Sequence, residues 1–389
     1  MTVTVPSPEA VPFDATCPLM GVEEEYFVVD PATRAAMPRG AEVVRRAGRR
    51  LHDRVSLEFT MFQMEAKTPP CAGLPELERE LRRMRAEVAA AAREEGLAPV
   101  ATGTAVLGDY VPPLIHEDPR YAIGIANYRS LHDEAAICAG HVHVHLPDRE
   151  RAVLVSNHLR PWLPVLIALM ANSPFWQGHD TGYASYRTLT WGKWPVAGPP
   201  PYFSSLAEYE EVVAALGESG ALVDPGTIFW DIRPSAHLPT LEVRVTDVAG
   251  TAGESALLAA IVRALVVVSL ERVERGDHGP RLSGERLRVA YWRACRDGLD
   301  GHGIDPLTGR LCPAAELVGT LLAHIRPSLA RTGDLAVVTR RLERLLAEGG
   351  GAARQRAAFA ARGRAADVVD HLVASYIGPA DRDEPQEHA

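Results

Sequence analysis

Residues 21–30 read Gly-Val-Glu-Glu-Glu-Tyr-Phe-Val-Val-Asp, three consecutive carboxylates inside an otherwise apolar run of strand-like composition. Side chains on a strand alternate between faces, so Glu23, Glu25 and Phe27 share one face while Glu24, Tyr26 and Val28 share the other. Glu23 and Glu25 then stand about 7 Å apart along the strand, at a rise of about 3.3 Å per residue. Carboxylates withdrawn from water need a partner, and a hard divalent cation such as Mg²⁺ accepts clustered oxygens of this kind. The competing reading of this segment alone is a solvated edge strand whose charges guard against aggregation.

Outward from this strand, Asp30-Pro31-Ala32-Thr33 reads as a turn. A second strand-like region, Val55–Thr68, carries Glu58 and Glu65 and stops at Pro69-Pro70. Leu74, Leu77, Leu81, Met84 and Val88 recur at helical spacing and predict a helix over 74–95, closed by Gly96. A strand is expected at 97–104, a loop-rich stretch at 105–130 and a strand at 138–147. A helix is expected from about 149 to 171, with Asp148 as its N-cap and a kink near Pro161 or Pro164. Residues 172–204 are dense in Gly, Pro, Trp and Tyr and read as an ordered functional loop. A short helix at 205–217 precedes a strand pair at 228–235 and 240–248. From 252 to about 376 the pattern is helical, broken at 297–309 and 349–351. This order predicts an α+β fold: an antiparallel sheet with helices packed on one side and a helical C-terminal third. The expected organisation is a flexible N-terminus over 1–16, a single catalytic domain over 17–378 and a frayed tail over 379–389.

Bulk properties narrow the function. At 389 residues the chain can bury a large core. The 47% apolar and 23% charged composition is globular. A net charge of −9 with both signs interspersed argues against nucleic acid as a partner. Of the 41 basic residues only Lys67 and Lys193 are lysines. The five cysteines are scattered with no CxxC pair, which suits the reducing cytoplasm. The N-terminus lacks the pattern of a signal peptide. The most apolar segment, around 159–171, is short and interrupted by Arg160, Pro161 and Pro164, so no membrane span is expected. Oligomeric state is not written in the sequence; a homodimer is the default by frequency.

Two further strands carry chemistry. In Gly140-His-Val-His-Val-His-Leu-Pro147, the side chains of His141, His143 and His145 point to one face. Three imidazoles on one face fit a metal ligand, a phosphate contact or a proton carrier, and admit a zinc site. In Leu241-Glu-Val-Arg-Val-Thr-Asp247, Glu242, Arg244 and Thr246 share a face, and Asp231 and Arg233 repeat the alternation one strand earlier. Arginine is suited to two-pronged capture of carboxylate or phosphate. No glycine-rich phosphate loop and no GxSxG elbow is present, so any nucleotide phosphates must be held by metal and arginine. Phosphoryl transfer calls for this inventory.

Six stretches in order carry a family resemblance: Gly21–Phe27, Gln63–Pro69, Gly140–Val144, Ala171–Trp176, Asp180–Arg187 and Leu241–Val248. They resemble the carboxylate–amine ligases related to glutamate–cysteine ligase, the type 2 group. The resemblance implies a glutamine-synthetase-like fold, a curved antiparallel sheet forming a funnel with helices outside. It implies ATP and Mg²⁺ as cofactors, two ions with Mn²⁺ as the alternative, and small-molecule substrates: glutamate or another carboxylate, and an amine such as cysteine. ATP would phosphorylate the carboxylate, and the amine would then attack the acyl phosphate. By motif match Glu23, Glu25, Glu65, His141 and Glu242 would ligate the metal. Arg233 and Arg244 would contact the ATP phosphates as the catalytic pair, and Arg187, Tyr183 and His143 would hold substrate. Glu24 faces away and should have a partner of its own. Glu58 and Glu65 differ by an odd number, so both reach one face only through a bulge or break, and Glu65 lies in the matched motif. His145 departs from the family, where a small residue is usual. The alternatives are a guanidino-type kinase on a similar sheet and a zinc-dependent hydrolase using the His141/His143/His145 strand.

Overall fold

The computed structural model describes residues 12–378. The carboxylate strand β1 (Met20–Val29) lies inside a seven-stranded antiparallel sheet with strands numbered in chain order. The others are β2 (Val55–Leu57), β3 (Gln63–Lys67), β4 (Ala98–Val100), β5 (Ala139–His145), β6 (Ile232–Pro234) and β7 (Thr240–Asp247). Their order is β6-β7-β5-β1-β3-β2, and β4 pairs with the C-terminal end of β1.

Register divides the sheet into an apolar and a charged face. Val22 and Tyr26 of β1 align with Met64 of β3, Val142 of β5 and Val243 of β7, all buried. Each such aliphatic side chain contributes about 1.5–3 kcal/mol on burial. Helices α1 (Gly40–Leu51) and α2 (Leu74–Glu94) pack together beside this face, and α2 buries the leucine stripe its spacing predicted. Gly40 opens α1 against β3, where a Cβ would stand 2.5 Å from the carbonyl oxygen of Gln63. The later helices are α3 (Pro119–Tyr128), α4 (Arg149–Leu159), α5 (Leu163–Met170), α6 (Tyr186–Trp191), α7 (Leu206–Glu218) and α8 (Ala252–Val273). Helix α8 starts at a reciprocal cap between Thr251 and Glu254. It then crosses behind β1 and β5 with nearly its whole circumference apolar, as an enclosed helix requires. The C-terminal third continues as helices to Ser375.

Several elements differ from expectation. The strand expected over Val55–Thr68 is a hairpin: β2 and β3 pair antiparallel, and Glu58–Phe62 form the connection. The strand expected at 97–104 is only Ala98–Val100, and the loop-rich stretch 105–130 contains α3, opened by the Asp118 side chain on the Arg120 amide. Helix 149–171 is kinked where expected, through a 3-10 turn at Arg160–Trp162. That turn joins α4 and α5 into a stretch, Arg149–Met170, long and apolar enough to cross a membrane by length and composition. Its most apolar window is 94% buried within the protein. Of the expected flexible N-terminus, residues 12–16 are described, with Phe13 edge-on to His145; residues 1–11 and the tail over 379–389 lie outside the described residues.

Candidate active site

The charged face of the sheet is organised in rows set by strand register. One row holds Ser56, Glu65 and Glu25; the next holds Lys67, Glu23 and His141; a third holds His143, Glu242 and Arg233. Opposite His141 the pairing of β7 slips between Val243 and Thr246, so two residues face one. Glu242 and Arg244 therefore stay on the charged face, but Thr246 moves to the partner of Gly140, on the Glu24 side. The expectation that Thr246 shares their face fails through this bulge.

The row arrangement brings ligand atoms together twice. Glu23, Glu65 and His141 present three atoms within 4.8 Å of one another, and Glu25, Glu58 and Glu65 do the same. Glu65 belongs to both groups. Strand alternation puts Glu58, seven residues from Glu65, on the opposite face; the hairpin turn supplies the break that brings it back beside Glu65. Both groups are rich in carboxylate oxygen with one imidazole, a donor set that fits Mg²⁺ or Mn²⁺. The Nε2 atom of His141 is buried and has no hydrogen-bond partner, as a ligand atom awaiting a cation would be.

Protonation follows the same geometry. Burial opposes ionisation of Glu23, but hydrogen bonds with His141 and His143 outweigh it and hold its carboxyl far below the ordinary range. Burial, then repulsion from Glu23, pushes Glu65 up to about 7. Burial, then Glu25 and Glu65, pushes Glu58 well above the ordinary value. Burial, then the charge of Arg244, lowers His141 and keeps it in the neutral form that binds metal. The backbone amide of Ala139 donates to Glu25 at 2.7 Å and anchors that carboxylate.

Glu25, Glu58, Glu65 and Lys67 line a cleft of about 370 Å³, and Glu23 and His141 stand behind Glu65 without lining it. Arg187, Arg244, Trp191, Trp194, Tyr128 and Phe229 also line it. Arg187 sits in the first turn of α6, which Ser185 caps, and donates to the carbonyls of Val245 and Arg244 at 3.3 Å each. Arg244 donates to Glu242 at 3.0 Å, lies 5.9 Å from the ring centroid of Trp191 and leaves Nε unpartnered.

Three expected site residues stand apart from the ligand groups or the cleft. Glu242 stands outside both ligand groups, held between Arg233 at 2.9 Å and Arg244 at 3.0 Å. Burial works against its charge, yet the two guanidinium groups hold its carboxyl far below the ordinary range. Arg233 does not line the cleft; its donors are taken by Glu242 and by the carbonyls of Gly226 and Ile228. Tyr183 does not line the cleft either: its hydroxyl accepts from Trp292 at 3.3 Å and its carbonyl accepts from Arg356.

The three histidines do not assemble into a ligand set. His143 is bonded to Thr240 at 2.9 Å and lies 3.6 Å from Glu23, while His145 turns to Phe13. Among the described residues, neither ligand group contains His143 or His145. Glu24 has the separate partner expected of it, Arg85 of α2. Arg85 itself carries no signal in the sequence, because its helix is amphipathic without it.

Known proteins share this architecture. Residues 19–371 match the profile described as Glutamate-cysteine ligase family 2 (GCS2). A protein of Mycobacterium sp. (strain KMS) named "Putative glutamate--cysteine ligase 2-2" is 44% identical over 363 residues, spanning 92% of this chain and 98% of its own. The "Putative glutamate--cysteine ligase 2-1" of Nocardia farcinica (strain IFM 10152) is 43% identical over 366 residues, spanning 92% and 94%. The crystal structure of a bifunctional glutathione synthetase from Pasteurella multocida superposes with a TM-score of 0.70 at 15% identity. It covers 93% of this chain, which spans about half (52%) of that longer one. Glutamate–cysteine ligase from Francisella tularensis, solved in complex with AMP, superposes at 0.66 and 12% identity over 94% of this chain and 90% of that one. The structural likeness is one of fold, the glutamine-synthetase-like α+β architecture. Sequence and fold agree: the chain belongs to glutamate–cysteine ligase family 2 and is an ATP-dependent ligase of the carbon–nitrogen bond-forming class.

Proposed function

We propose that the protein activates a carboxylate, glutamate in the activity its relatives are named for, as an acyl phosphate and joins it to an amine such as cysteine. The observation that carries this reading is the pair of ligand groups that meet at Glu65, which lines one cleft with Glu25, Glu58, Arg187 and Arg244. Two Mg²⁺ ions, or Mn²⁺ in their place, would supply neutralisation of the negative charge that develops during phosphoryl transfer. Glu23, Glu25, Glu58, Glu65 and His141 would hold the ions.

The remaining residues orient and bind. Arg244 contacts the transferring phosphoryl group, and Glu242, itself held by Arg233, keeps its fork aimed. Arg187 takes the carboxylate of the amino-acid substrate. His143 steadies Glu23 from the adjacent row. In the first step a substrate carboxylate oxygen bonds to the γ-phosphorus of ATP as the bond to the ADP oxygen breaks. In the second the amine nitrogen bonds to the acyl carbon, phosphate departs with the C–O electron pair, and the nitrogen sheds a proton. Residues 17–378 act as one catalytic unit, since the largest apolar cluster draws on residues from Met20 to Tyr376. All five cysteines are free, as suits a reducing compartment, and we place the protein in the cytoplasm.

The test is ATP-dependent phosphate release with glutamate across a panel of amines, with products identified by mass spectrometry. An amide together with ADP and phosphate is the expected outcome. A stable phosphorylated acceptor and no amide would overturn the ligase in favour of a guanidino-type kinase.

A further inference from the structure

Lys67 stands inside the carboxylate cluster. The β1/β3 register places it directly across from Glu23, and its ammonium lies 2.6 Å from Glu65 and 3.8 Å from Glu23. Those two carboxylates, with His141, make one of the two ligand groups. The ammonium thus occupies ground that a divalent cation would share.

The choice of lysine is itself informative. The chain has 41 basic residues and only two lysines. Where it holds a carboxylate permanently it uses the planar fork of arginine, as Arg85 on Glu24 and as Arg233 and Arg244 on Glu242. An ammonium is a compact, strongly hydrated point charge on a flexible stem. It can neutralise two carboxylates in one position and withdraw without disturbing the backbone. Its stem is partly exposed and lines the cleft, so a path for withdrawal exists.

We propose that Lys67 is the resident cation of the Glu23–Glu65 position and competes with one divalent ion for it. This rests on the metal reading above. The Glu25–Glu58–Glu65 group, which Lys67 touches only through Glu65, fills first. The Glu23–Glu65–His141 group fills only as the ammonium moves out, and the two ions therefore bind with unequal affinity.

Two measurements on the full chain test this. Mn²⁺ titration, with free ion followed by electron paramagnetic resonance, compares wild type with Lys67→Met, which keeps the stem and drops the charge. Wild type is expected to bind one ion tightly and a second more weakly, and Lys67→Met to tighten the second by about tenfold or more, equivalent to about 1.4 kcal/mol. The second measurement needs no variant. Acetylation of Lys67 relative to Lys193, the internal reference, is expected to rise several-fold when saturating Mn²⁺ releases the ammonium. Identical isotherms for the two proteins, or a labelling ratio that Mn²⁺ leaves unchanged, overturn the competition while the metal reading stands. No Mn²⁺ binding by either protein overturns both.

Discussion

Glu24 and Arg85 form a fully buried ion pair on the apolar side of β1, back to back with the carboxylates that face the cleft. Arg85 Nε donates to Glu24 at 3.0 Å, and Tyr26 donates to the same oxygen at 2.5 Å. The rest of the guanidinium reaches the carbonyls of Ala249, Gly250 and Tyr376, so one side chain ties β1 and α2 to the start of α8 and the C-terminal end. Removing one partner of such a pair strands the other charge and costs about 3–5 kcal/mol. Arg85→Met and Glu24→Gln should each lower the melting temperature sharply, by differential scanning calorimetry, while the folded fraction still binds Mn²⁺. Unchanged melting would contradict a structural role for Glu24.

Glu25 should behave in the opposite way. Its carboxylate accepts the Ala139 amide, and an amide side chain keeps an oxygen for that bond. Glu25→Gln is expected to abolish turnover and weaken Mn²⁺ binding while shifting melting by no more than about 2 °C, within the range of a sub-kilocalorie change. Full activity in this variant would remove Glu25 from the metal assignment.

Glu65 makes metal-free stability depend on pH. Its folded pKa of about 7 lies above the ordinary 4.5, so between those values the native state holds more protons than the unfolded chain. This group therefore contributes stability that is present below about pH 4.5 and is lost as pH rises to about 7. Glu65→Gln should stabilise the metal-free protein at pH 8, on the order of 2 kcal/mol, and should weaken metal binding. Calorimetry across pH checks the first effect. In wild type Mn²⁺ affinity should fall as pH drops below about 7, because the ion must displace the proton.

Arg244 contributes a fork as well as a charge. Its Nη1 is held by Glu242 and its guanidinium lies 5.9 Å from the Trp191 ring centroid, while Nε is buried without a hydrogen-bond partner. Arg244→Lys is expected to lower kcat by about 10²–10³-fold, the scale of losing one aligned donor to a developing anion, with little change in nucleotide affinity. Steady-state kinetics with equilibrium nucleotide binding separates the two quantities.

Tyr183 provides the contrast. Its hydroxyl is engaged with Trp292 outside the cleft. Tyr183→Phe should leave kcat/KM for every substrate unchanged. A selective rise in KM for the carboxylate substrate would return it to the binding site.

Much of the site is legible from alternation alone. Period-two spacing separates Glu23 and Glu25 from Glu24, and it puts His141 and His143 on one face with no knowledge of neighbouring strands. Glu58 escapes that logic because a hairpin turn, not strand periodicity, returns it to the site. Thr246 misleads in the other direction, because one bulge opposite His141 reverses its face. Tyr183 sits four residues from Arg187 in one motif, yet the loop between Thr181 and Ser185 sends the two side chains to different surroundings.

The sequence by itself determined the long helices, the strands β1, β5 and β7, the opposite facing of Glu24 from Glu23 and Glu25, and the inventory of carboxylate, imidazole and guanidinium groups. All of these follow from local periodicity and residue chemistry. Only the tertiary structure decided which groups meet. Lys67 and His141 flank Glu23 because β3 and β5 pair to either side of β1, and Arg85 answers Glu24 from 61 residues away. Glu242 goes to two arginines instead of the metal groups because β6 and the β7 bulge bring them nearer. Strand register and helix docking are long-range choices, made by burial of the whole apolar face, and no single segment contains them.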